Sequence, residues 1–182
     1  QTLSLTAGTG NIDFDGIVGG TTPLAAVTVV SVANLVADAA FSAASFTQTN
    51  GSGTTTFTGA VATTAIAGVS ITGTNLALNN TIDTTNSGVV FTNLSGTATI
   101  AAAGNITADG AVTLDADLGI TTSADITTTN DSITFNDATT LNAGIALSTG
   151  AGAGTIAFNS TLDGTQTLSL TAGTGNIDFD GI

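Results

Sequence analysis

Residues 1–17 read QTLSLTAGTGNIDFDGI, and residues 166–182 read QTLSLTAGTGNIDFDGI again. The identity covers 17 positions, and the second copy starts 165 positions after the first, which chance does not produce. Self-similarity at a fixed distance is the mark of a repeat architecture. Residues 1–165 are therefore read as one full repeat, and residues 166–182 as the start of the next identical repeat. Within the shared stretch, Asn11-Ile12-Asp13-Phe14-Asp15 alternates apolar and acidic side chains. Residues two apart along a strand share a face, so Ile12 and Phe14 point one way and Asp13 and Asp15 the other. The pattern predicts a short, half-buried strand.

Similar pentads follow at 34–38, 54–58, 75–79, 88–92, 105–109, 132–136, 155–159 and 176–180. Eight steps separate their fourth residues over 165 positions, with uneven steps of 13, 17 and 27 in the middle. The mean step is about 21 residues, at the short end of the periods that solenoid repeats show. Further alternating runs lie between the pentads, such as Leu3-Ser4-Leu5, Val69-Ser70-Ile71 and Val112-Thr113-Leu114. Turn-forming stretches, such as Ala7-Gly8-Thr9-Gly10 and Asn86-Ser87-Gly88, punctuate the runs. Two or three short strands per step describe one coil of a β-solenoid. The expected fold is all-β: a parallel β-helix of about eight coils of roughly 21 residues per 165-residue repeat. Residues 1–17 and 166–182 are expected to share one conformation, related by translation along one axis with some twist. Apolar fourth residues, among them Phe14, Phe57, Phe91, Phe135 and Phe158, are expected in an interior column. Fifth residues, such as Thr58, Asn136 and Asn159, are expected in an outer ladder. Thr22-Pro23 has the form of a helix start, but the Val27–Val30 cluster favours strand.

Composition narrows the chemistry. The 182 residues include 13 Asp and no Glu, Lys, Arg or His, for a net charge of −13. Nucleic-acid binding through phosphates needs cationic side chains. Catalytic triads need a His, structural zinc needs Cys or His, and a Schiff base needs a Lys. None of these residue types is present, and disulfides are excluded. A hydrophobic fraction of 42% argues against disorder. The eight aromatics are all Phe, which points to a narrow aliphatic core. Tandem immunoglobulin-like sandwiches are the rival architecture. Each needs about 100 residues, so 165 suits neither one nor two, and the usual Trp or Tyr of such a core is missing.

The phrases Gln166 to Gly181 and Val18-Gly19-Gly20-Thr21-Thr22-Pro23-Leu24 resemble the giant secreted bacterial β-strand-repeat proteins, which are similar to the filamentous haemagglutinins. The resemblance implies a right-handed parallel β-helix, passage across a Gram-negative envelope and an extracellular, cell-surface location. It also implies a non-catalytic role as a structural repeat of a long fibre or adhesin. The partners so implied are neighbouring copies of the same repeat and cell-surface ligands, with no nucleic acid and no membrane insertion of this segment.

Candidate sites are few. Asp13 with Asp15, Asp115 with Asp117, and Asp178 with Asp180 each sit two apart. Carboxylates at that spacing, about 6–7 Å, are the chain's one metal-ligating pattern, and Ca²⁺ is the ion that oxygen donors suit. The same spacing would suit the acid pair of a carbohydrate-active β-helix enzyme, which here would lack any cation to hold an acidic sugar. An adhesive ligand-binding module would need an exposed aromatic platform, for which Phe41 and Phe46, both off the pentad register, are the candidates. No catalytic or cofactor-binding residue is expected.

Overall fold

The structure is a computed structural model and describes residues 1–181. Among these residues every regular element is a strand, and every strand pairing is parallel. The chain winds into a β-solenoid with three faces. The first face stacks Val61–Thr63, Ile82–Thr84, Ile106–Ala108, Ile126–Thr128, Ile145–Ser148 and Leu168–Thr171. The second stacks Val69–Gly73, Val90–Leu94, Val112–Leu114, Ile133–Phe135, Ile156–Phe158 and Ile177–Phe179. The third runs without a break from Ile12–Phe14 through Leu35–Ala37 and Thr54–Phe57 to Leu162–Asp163. Near the start, the eight-residue strands Leu24–Ser31 and Phe41–Gln48 cross the first and second faces together. The latter pairs with Val61–Thr63 through its first half and with Val69–Gly73 through its second.

Alternation in sequence becomes alternation in burial. Most strands read buried–outward–buried, as in Ile82-Asp83-Thr84 and Ile120-Thr121-Thr122. A coil this thin cannot bury its apolar face alone, so stacking supplies the core. Inward side chains lie over one another in register. On the third face Phe14, Ala37, Phe57 and Leu78 form one such column. On the second, Leu114, Phe135 and Phe158 are paired in turn, and Phe158 is paired with Phe179. The Phe135 and Phe158 rings stack at 4.8 Å and 10°, and Phe158 on Phe179 at 5.4 Å. Each buried Phe contributes about 1.5–3 kcal/mol. Three inward threonines at the corners satisfy themselves locally: Thr84 donates to the Gly88 carbonyl, Thr128 to that of Asp131, and Thr149 to that of Gly154 at 2.8 Å, whereas the buried Thr63 hydroxyl, one coil below Thr84, has no partner among the described residues.

The outer ladder forms where expected at Asn136 and Asn159. Asn159 Nδ2 donates to Asn136 Oδ1 at 2.9 Å, and Asn136 Nδ2 donates to Asp115 Oδ2 at 3.0 Å. One pentad is displaced by a residue. Phe91 is 38% exposed while Thr92 is buried. Val90 takes the inward place because it stacks between Val69 and Val112, which turns Phe91 outward beside Ser70 and Thr113.

The interior column is two columns, and the uneven steps explain why. Pentads up to Leu78 lie on the third face, Ile106–Ala108 lies on the first, and those from Phe135 onward lie on the second. The two copies of the 17-residue segment differ in the same way. Each forms strand, turn and strand, with Gly8 and Gly173 at φ of 60° and 56°. Yet Leu3–Thr6 lies on the second face and Ile12–Phe14 on the third, whereas Leu168–Thr171 lies on the first and Ile177–Phe179 on the second. Translation alone does not relate them; a one-face rotation is added. The 165-residue offset spans seven and two-thirds coils rather than eight whole ones.

Candidate functional site

The acidic residues occupy outward positions that strand alternation assigns to them. Asp13 stands between Ile12 and Phe14 on the third face. Asp15 and Asp38 each follow an inward residue, Phe14 and Ala37, which are register partners in adjacent coils. The Asp38 N–H donates to the Phe14 carbonyl at 3.1 Å. Stacking thus brings three carboxylates together: oxygens of Asp13, Asp15 and Asp38 lie within 4.8 Å of one another, all on exposed residues.

Three oxygen donors at this spacing can hold a hydrated divalent cation, with water completing the six to eight ligands Ca²⁺ takes. The residue pattern alone pairs Asp13 with Asp15 and leaves out Asp38. Its signal was the coil length, since Asp15 and Asp38 close consecutive pentads 23 positions apart.

The other two pairs have different surroundings. The half-buried Asp115 belongs to the amide ladder through Asn136, and its own N–H donates to Thr92 Oγ1 at 2.9 Å. Asp117 rims an open groove of about 400 Å³ lined by small and polar residues, including Asn50, Ser52, Thr72, Thr74 and Asn93. Asp178 and Asp180 repeat the Asp13–Asp15 spacing on the last coil. Among the described residues, no third acidic group joins either pair. Both Asp13–Asp15 and Asp178–Asp180 lie on stacked outer surfaces rather than in the groove.

The aromatic candidates are buried. Phe41 and Phe46 are 1% and 0% exposed and pack edge-to-face at 5.5 Å, within a cluster that includes Phe14 and Phe57. They serve the core, because the long strand Phe41–Gln48 bends between two faces and points both rings inward. Phe91 is the exposed aromatic within the stack, and its neighbours across the sheet are Ser70 and Thr113 rather than other rings.

No family model, no curated protein and no solved structure matches this chain. The fold itself is that of a β-helix repeat protein.

Proposed function

We propose that the chain is a structural repeat of a long extracellular bacterial fibre or adhesin, and that it is non-catalytic. One observation carries the reading. The segment 1–17 recurs in sequence as 166–182, and residues 1–16 and 166–181 share one strand–turn–strand conformation in an unbroken stack of parallel strands, so that a further unit continues the same stack. A solenoid grows in one dimension by adding coils, each contacting its neighbours. At about 4.8 Å per coil, one 165-residue unit adds about 37 Å of length. Length and rigidity are what such a unit supplies. The resemblance to the filamentous-haemagglutinin-like repeat proteins supports a cell-surface location and secretion by a Gram-negative bacterium.

Composition supports the same role. A chain without Lys or Arg offers trypsin-like proteases nothing to cut. Thirteen carboxylates without a side-chain cation repel other rods and gather counterions. Neighbouring copies of the repeat are the first partners on this reading, and a cell-surface ligand would bind the outer faces. The test is the complete gene together with its product. Tandem copies of the 165-residue unit, and thin rods on the cell surface labelled by an antibody to it, are expected. A gene with one copy, or a product retained in the cytoplasm, refutes the proposal.

A further inference from the structure

We infer that the polar groove at the corner between the second and third faces binds a neutral, extended oligosaccharide, with Phe91 as its stacking platform. Successive coils build the groove. Asn50 and Ser52 come from one coil, Thr72 from the next, Asn93 and Ser95 from the third and Asp117 from the last. Register sets them side by side. Thr72 lies opposite Asn93, and Leu94, which precedes Ser95, lies opposite Ala116, which precedes Asp117. Coils spaced at about 4.8 Å make this strip about 14 Å long, parallel to the solenoid axis, which matches a trisaccharide. The volume of about 400 Å³ falls within the range of small-molecule sites.

The floor is held from beneath. Gln48 is 1% exposed and, among the described residues, is the one buried side-chain amide. Its Nε2 donates to the Thr72 carbonyl at 3.3 Å, and its Oε1 accepts from Thr55 Oγ1 at 2.8 Å. Gly51 and Gly73 make room for it, since a Cβ on either would come within 2.9 Å of that Nε2. Thr74 Oγ1 donates to the Gly51 carbonyl at 3.0 Å and ties adjacent coils. A floor fixed in this way holds the outward amides and hydroxyls in place before a ligand arrives, which lowers the ordering cost of binding.

The lining and its flanks select the ligand class. Hydroxyl and amide groups both donate and accept, as sugar hydroxyls do, and the Asp117 carboxylate accepts. With a net charge of −13 and no side-chain cation, the chain turns away uronic, sialic and phosphorylated sugars. Apolar groups flank the polar strip. Phe91 stands two residues before Asn93 on the same outward side of their strand, about 6–7 Å away. Leu118, next to Asp117, is 75% exposed. A pyranose carries hydroxyls at its edge and C–H groups on its face, and the electron-rich face of a Phe ring attracts such C–H groups. Cellotriose, which its β-linkages keep straight, can follow the groove, whereas maltotriose curves away from it. Such a site deepens the surface-ligand part of the proposed function and rests on it. Sugar binding and rod formation are measured separately, so either can fail alone.

Titration of the isotope-labelled chain with cellotriose, followed by NMR, is the test. Cellotriose should shift the amide signals of Asn50, Thr72, Asn93 and Asp117, with a dissociation constant of about 1 mM or below. Phe91→Ala and Asp117→Ala, both at exposed positions, should each keep the fold and weaken binding by about fivefold or more. Ile66→Ala, at an exposed residue on another corner, should leave binding unchanged. Maltotriose and the β-linked trimer of glucuronic acid should each bind about tenfold more weakly or worse. No shift at about 10 mM cellotriose, or shifts spread evenly over the three faces, would overturn the assignment. So would equal binding of the glucuronic acid trimer, or Phe91→Ala and Ile66→Ala behaving alike.

Discussion

Phe46 and Phe91 stand on the same face, two coils apart, and point in opposite directions. Phe46 is fully buried and meets Phe41 and Phe57 edge-to-face at 5.5 and 5.4 Å. Phe91 is 38% exposed and has no ring beside it on the sheet. Replacing Phe46 with Ala removes a buried ring, leaves a cavity in a core too thin to collapse around it, and breaks two aromatic pairs. The expected cost is about 4 kcal/mol, within the range of buried Phe-to-Ala changes. Against a total stability of about 5–15 kcal/mol, that is a large loss. Phe91→Ala removes a ring that never left water fully and should cost about 1 kcal/mol or less. With a urea slope of about 2 kcal/mol per molar, the midpoints should fall by about 2 M and about 0.5 M. Far-UV circular dichroism is the assay, since the chain has no Trp or Tyr to report by fluorescence. Equal shifts, or a larger one for Phe91→Ala, would refute the register.

Gly68 has a φ of +52°, and a Cβ there would lie 1.9 Å from the Val89 carbonyl oxygen, whereas Gly8 at +60° has open space around it. Gly68→Ala should therefore cost about 3 kcal/mol or more in urea unfolding, and Gly8→Ala about 1 kcal/mol. Asn136 donates to Asp115 and accepts from Asn159, so Asn136→Ala should cost about 1–2 kcal/mol, while Asn159→Ala, which breaks one of those bonds, should cost less. Salt acts on the uncompensated carboxylates. Raising it from about 0.01 M to about 1 M shortens the screening length from about 30 Å to about 3 Å, and the melting midpoint should rise by about 2–4 °C for each kcal/mol of repulsion removed. At constant ionic strength, Ca²⁺ should raise the midpoint further, and Asp38→Asn should remove that excess; a midpoint indifferent to both salt and Ca²⁺ contradicts the electrostatic account.

Coil length was legible because it depends on local signals: a 165-residue offset, recurring pentads and Gly-rich turns. Face assignment was not, because it depends on the accumulated lengths of every corner between. A strand–turn–strand segment folds the same way wherever it falls, so Ile12–Phe14 and Ile177–Phe179 share a sequence and occupy different faces. The uneven steps of 13, 17 and 27 were the trace of that drift, since together they carry the pentads through two and two-thirds coils. At Phe91 the larger side chain lost the inward place, because stacking aligns Val90 with valines above and below it. Ser45 and Phe46 are both buried, since the strand turns a corner there and period-2 alternation lapses. Asp38 joined Asp13 and Asp15 through register, which pairs positions one coil apart in sequence.

The central claim is that length accrues coil by coil, with successive repeats turned by one face. Electron cryo-microscopy of rods built from one, two, three and four tandem 165-residue units measures this directly. The expected result is a constant increment of about 37 Å per unit and strands spaced about 4.8 Å along the axis, with equivalent residues recurring on the third, second and first faces in turn. An increment far from this value, strands running along the rod instead of across it, or equivalent residues recurring on one face would contradict it.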